Sequence, residues 1–172
     1  MIQSFKGKTP RIATSAYIHE TAVIIGDVVI GEHANIWPHV VIRGDINSII
    51  IGDRTNVQDN TVIHVDHAIP TIIEHDVTIG HGAIIHACTI KHTSLIGMGA
   101  TVLDRSVIGE CAMVGANALV SPGSVIPPNT LSIGMPARPK RELTSDEIHA
   151  LADSAHHYCE IAADFKKAQD GE

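Results

Sequence analysis

The stretch "IGMGATVLDRSVIGECAMVGANALV", residues 96–120, repeats every six residues. Ile96, Val102, Ile108, Val114 and Val120 open successive hexapeptides, and Ala100, Ser106, Ala112 and Ala118 stand four places after the first four of them. A fixed period of this kind marks a repeat architecture, in which each unit buries its apolar face only against its neighbours. The same period extends upstream through Ile12, Ile18, Ile24, Ile30, Ile36 and Ile42, then Ile51, Val57 and Ile63, then Ile73, Ile79 and Ile85. After one shortened step it resumes at Ile90 and runs to Ile126, so that all nineteen starts are Ile or Val. A β-branched residue pointing inward and a small residue at a narrow corner account for both conserved places of the unit.

Composition agrees. Hydrophobic residues make up 44% of the 172-residue chain but aromatic residues only 3%, so the core must be filled by Ile, Val and Ala. The formal charge of -7, with Lys and Arg scattered, offers no basic stripe for nucleic acid. Cys88, Cys111 and Cys159 are odd in number and far apart, which argues against a disulfide framework and for inert small apolar residues in a reducing compartment. No apolar run approaches the ~20 residues of a bilayer span. The expectation is a soluble, cytoplasmic protein with no nucleic-acid or membrane partner.

The repeat resembles that of the hexapeptide-repeat proteins, in which three hexapeptides form one triangular coil of a left-handed parallel β-helix. The left hand is implied by the resemblance, since the crossover rule alone favours the right. Nineteen hexapeptides then give about six coils and roughly 30 Å of prism at about 4.8 Å per coil. From "ELTSDEIHALADSAHHYCEIAADFKKAQ" (142–169) the period becomes helical, with Ile148, Leu151, Ala152, Ala155, Cys159, Ala162 and Phe165 on one face. Thr144 and Glu147 form a capping box at its start. The fold class expected is all-β: a β-helix domain over residues 1–140, then a linker and C-terminal α-helix over 141–172, packed along the prism.

Register also places the histidines. His64 and His86 each follow a repeat start, and three hexapeptides plus four residues looped out around "HAIP" separate those starts. They therefore stack one coil apart and point outward. Arg43 falls in the same column one coil below His64, with "SII" (48–50) as the insertion that keeps register. Asp59 and His81 occupy the third place after Val57 and Ile79 and form a second column. Five extended residues span roughly 16 Å, so one chain does not easily bring His81 to a metal that His86 binds at about 2.0–2.1 Å. A neighbouring chain related by a threefold axis along the prism could supply a third imidazole, so a metal site here implies a homotrimer. His19, His33, His39, His75, His92, His149, His156 and His157 read as solvated surface residues.

The motifs "VIRGD" (41–45), "NVQDNTVIH" (56–64) and "IGHGAIIHACTI" (79–90) are similar to those of the γ-class carbonic anhydrases. The resemblance covers about residues 10 to 140. It implies zinc, or iron or cobalt, held by His64 and His86 of one chain and His81 of the next. It further implies an Arg43–Asp59 salt bridge across the interface, Asp45 as a structural partner, Asn56 and Gln58 orienting the metal's solvent, and Tyr158 overhanging the pocket. Three neutral imidazoles leave a fourth position for water, whose hydroxide attacks carbon dioxide to give bicarbonate. The long acidic loop with a glutamate proton shuttle is missing, replaced by "VDHAIPTIIEHDVTI" (65–79). His67, bulky at a normally small repeat place, reads as a loop residue, with proton transfer as the alternative. Other readings are a hexapeptide acyltransferase, a metal-dependent acyl-CoA thioesterase, and a non-catalytic trimer stabilised by metal.

Overall fold

The computed structural model describes residues 1–170 and forms a parallel β-helix closed along one side by a single long helix. The hexapeptide starts stack in three columns, one per face of the prism. Ile24, Ile42, Ile63, Ile85, Val102 and Val120 pair in sequence on one face. Ile18, Ile36, Val57, Ile79, Ile96 and Val114 pair on the second. Ile12, Ile30, Ile51, Ile73, Ile90, Ile108 and Ile126 pair on the third. Apart from the partly exposed Ile12 and Ile18, these side chains are buried in one continuous core with small residues such as Ala22, Ala34, Ala83, Ala100 and Ala112. Burial of this aliphatic column, at roughly 25 cal/mol per Å² of apolar surface, is the main favourable contribution to folding.

The second face carries seven parallel strands, from Tyr17–Ile18 to Thr130–Ile133, so the prism has one coil more than the six counted from the repeats. The extra coil escapes the pattern because Ser132 pairs with Val114, at a place where the repeat has Ile or Val. The stretch 127–141 folds back: strand Arg138–Glu142 pairs antiparallel with Thr130–Ile133 and ends the stack. At the other end Ile2–Gln3 pairs with the strand Val23–Ile30.

The first insertion lies elsewhere than "SII". Gly26 pairs with Gly44 and Val28 with Ile49, so Asp45–Ser48 bulge out where the previous coil has Asp27 alone, while Ile49 and Ile50 stay in the ladder. The β-branched pair at 49–50 packs in the sheet, and the polar residues before it do not need to. The second insertion turns at Asp66–Ile69, whose backbones bond each other reciprocally, and Asn47 Nδ2 donates to the carbonyls of Asp66 and His67 at 3.2 Å each. His67 is an exposed loop residue.

The C-terminal helix, Ser145–Asp170, packs on the second face. Its capping box forms as expected: Glu147 N–H donates to Thr144 Oγ1 at 3.2 Å and Thr144 N–H to Glu147 Oε2 at 2.9 Å. Leu151, Ala155 and Ala162 are buried, while Tyr158 and Ile161 pack with Tyr17 and Trp37. Phe165 is 47% exposed yet meets Trp37 edge-on at 5.3 Å.

Close coil stacking explains Gly97. A Cβ there would lie 2.5 Å from Ala116 N and 2.6 Å from Gly115 C, both backbone atoms of the next coil. Gly97→Ala is expected to cost about 1–3 kcal/mol, as overpacked sites do, and to lower the thermal midpoint by several degrees in circular dichroism. An unchanged midpoint would mean that the coils are not held this closely.

Candidate metal centre

The strands Val62–His64 and Ile84–His86 lie in parallel register with His64 opposite His86. Ile63 and Ile85 point into the core, so the residues beside them point out. His64 Nδ1 and His86 Nε2 approach to 3.2 Å. Behind each ring stands a carboxylate: His64 Nε2 lies 2.9 Å from Asp45 Oδ1, and His86 Nδ1 lies 2.5 Å from Asp104 Oδ1. Arg43, in the column below, donates from Nη1 to the other Asp45 oxygen at 2.5 Å. Burial alone would raise the Asp45 carboxyl, but the bonds from His64 and Arg43 outweigh it and hold the group below the usual carboxylate range. It is therefore an ionised acceptor at neutral pH.

With both rings neutral this arrangement leaves two lone pairs facing each other, whereas with one ring protonated 3.2 Å is an ordinary N–H···N hydrogen bond. An ionised carboxylate only accepts, so each outer ring nitrogen carries the proton. A neutral imidazole has one N–H, and both inner nitrogens are then bare. A cation between them satisfies both. Two nitrogens on one tetrahedral zinc, at 2.0–2.1 Å each, stand about 3.3 Å apart. The observed 3.2 Å fits that spacing, and carboxylates behind ligating histidines are the usual second support of a metal.

A second half-site occupies another edge. His81 Nδ1 lies 2.9 Å from Asp59 Oδ2, so the remaining ring nitrogen is again the free one. Gln58 donates from Nε2 to Asn56 Oδ1 at 3.1 Å, and Asn56 donates to Thr78 Oγ1 at 2.8 Å. Both amides are buried. Tyr158 from the helix closes a cavity of about 240 Å³ that Gln58, His81, Leu95 and Met98 also line. Burial, with the nearby Asp59 charge, raises the Tyr158 phenol above its ordinary value and keeps it neutral.

The chain thus gathers Arg43, Asp45, His64 and His86 at one edge, and Asn56, Gln58, Asp59, His81 and Tyr158 at another. Among the described residues, no three His, Cys, Asp or Glu side chains converge as a metal set within one chain. Arg43 and Asp59 are not paired with each other here: their in-chain partners are Asp45 and His81. Asp104 was missed in the sequence, although its place, third in the hexapeptide that Val102 opens in the coil beyond His86, was there to be read. Cys88 is buried and its thiol is pushed up to about 12, chiefly by desolvation, so it serves packing rather than ligation.

A β-helix of hexapeptides with carboxylate-backed histidines at two edges defines a class within the repeat proteins. Residues 9–44 match the family pattern described as bacterial transferase hexapeptide (six repeats). The chain is 48% identical to a carbonic anhydrase of Geobacillus kaustophilus, over 98% of this chain and 93% of that one. It is 41% identical to the mitochondrial gamma carbonic anhydrase 2 of Arabidopsis thaliana, over 90% of this chain and 58% of the relative. Among solved structures it superposes on a Bacillus cereus protein provisionally described as an acetyltransferase, with a TM-score of 0.96, 47% identity and 97% of each chain covered. The chain belongs to the γ-class carbonic anhydrase-like family of hexapeptide-repeat proteins, and membership implies a metal cofactor.

Proposed function

We propose that the chain is a γ-class carbonic anhydrase that converts carbon dioxide to bicarbonate at interfaces of a homotrimer. His64 and His86 of one subunit and His81 of the next would hold zinc, with iron or cobalt as substitutes. The observation that carries this reading is the 3.2 Å approach of His64 Nδ1 and His86 Nε2, each ring backed by a carboxylate. Zinc held by three imidazoles supplies Lewis acidity that brings the ionisation of water to about pH 7.

The chain's own residues do the rest. Arg43 and Asp45 lock the His64 ring, and Asp59 locks His81. Asn56 holds the Gln58 amide, whose free end orients the attacking oxygen. Leu95 and Met98 give the small apolar substrate an apolar wall beside Tyr158. At the interface, Arg43 of one subunit reaches Asp59 of the next. The stretch 65–79 stands where the long acidic loop with its glutamate shuttle would be. The proton therefore leaves to buffer. The three unpaired thiols support a cytoplasmic setting.

A second reading, acyl transfer, is favoured by the description of the Bacillus cereus structure. Hexapeptide transferases need one histidine base and no metal, whereas three carboxylate-backed imidazoles suit a metal.

Zinc-replete protein is expected to hold close to one equivalent per chain by elemental analysis, and His64→Ala or His86→Ala less than a tenth. Full retention of zinc by both variants would remove these residues from the site. Stopped-flow hydration should rise with pH through a midpoint of about 7 and depend on the concentration of small buffer bases. Acetyl-CoA consumption without any hydration at full metal occupancy would favour acyl transfer.

A further inference from the structure

Asp104 lies outside the motifs that carry the family resemblance, yet its Oδ1 sits 2.5 Å from His86 Nδ1. We propose that Asp104 is a positioning residue: it fixes His86 in the tautomer with the proton on Nδ1, so that Nε2 faces His64 with an open lone pair. This rests on the metal reading above.

The two rings need opposite instructions. His64 turns Nδ1 toward the shared point and gives Nε2 to Asp45, whereas His86 turns Nε2 toward it and gives Nδ1 to Asp104. Free neutral histidine prefers its proton on Nε2. His64 in this orientation needs only that preference, with Asp45 reinforcing it. His86 needs the reverse, and without an acceptor at Nδ1 it would present an N–H to the cation and to His64. A carboxylate is acceptor-only and enforces the rarer tautomer. Of the two carboxylates, Asp104 therefore has the larger part in making the pair a ligand set.

The fold holds Asp104 in place. Val102 pairs with Ile85 one coil below, and the Asp104 carbonyl accepts from Gly123 N–H at 2.8 Å in the coil beyond.

The test uses full-length protein labelled with ¹⁵N at histidine, freed of metal, at about pH 8.5 where imidazoles are neutral. Long-range ¹H–¹⁵N spectra read the tautomer of His86, and competition with a chromophoric chelator reads zinc affinity. Wild type should show His86 with Nδ1–H. Asp104→Ala should move His86 to Nε2–H and weaken zinc binding about 10–100-fold, the usual effect of losing such support. Asp104→Asn, whose amide oxygen still accepts, should keep Nδ1–H and recover part of the affinity. An Nε2–H tautomer in wild type overturns the proposal without any variant. So does a folded Asp104→Ala protein with unchanged tautomer and affinity. If wild type binds no zinc while the tautomer still shifts in Asp104→Ala, the metal reading fails and the role of Asp104 in orienting His86 stands.

Discussion

The coil-to-coil register of the inward Ile and Val columns is the constraint from which the site follows. Ile42, Ile63, Ile85 and Val102 are paired through the backbone at a spacing of about 4.8 Å. Because each is locked in the core, the residue after it has a fixed height and a fixed outward direction. Arg43, His64 and His86 are stacked by this means alone, with no loop needed to aim them. Sites built on regular elements are held more tightly than sites on loops, which suits a metal whose ligands must converge within tenths of an ångström.

The irregularities of the repeat cluster where that regular scaffold falls short. A strict hexapeptide would put nothing against His64 Nε2. The bulge at Asp45–Ser48 delivers a carboxylate there, and Arg43 holds it. The shortened step after Ile85 turns through Ala87 at φ 46°. Local departures from an otherwise consistent pattern are expected at functional sites, and here the bulge supplies the Asp45 acceptor at His64 Nε2, while Asp104 and Asp59 come from regular places of the repeat.

Much of this was legible in the sequence. The six-residue period fixes the faces, and counting from the starts places His86 over His64 and His81 over Asp59. The capping box at Thr144 and Glu147 and the helical period after it mark the last element. The rest was hidden for physical reasons. Ser132 conceals the seventh coil because it stands, buried, at a place where the repeat has Ile or Val. Periodicity tells how many residues are inserted after Gly44 but not which ones leave the ladder. Asp104 was overlooked because its side chain reaches back across a corner to His86, a direction that strand alternation does not describe. The Tyr17, Trp37 and Phe165 contacts depend on how the helix sits, which helical spacing leaves open.

The proposed division of the ligands between the subunits of a homotrimer is tested most directly by mixing two variants, each of which would lack one ligand. His64→Ala and His81→Ala homotrimers each lack a ligand at every site. In a mixed trimer, one interface joins the intact His64 and His86 of the His81→Ala chain to the intact His81 of the other variant. Random equal assembly makes about three quarters of trimers mixed, each with one whole site in three. Co-expression of differently tagged chains should therefore restore about a quarter of wild-type zinc content. Zinc remaining at the single-variant level in proven mixed trimers would contradict a site shared in this way.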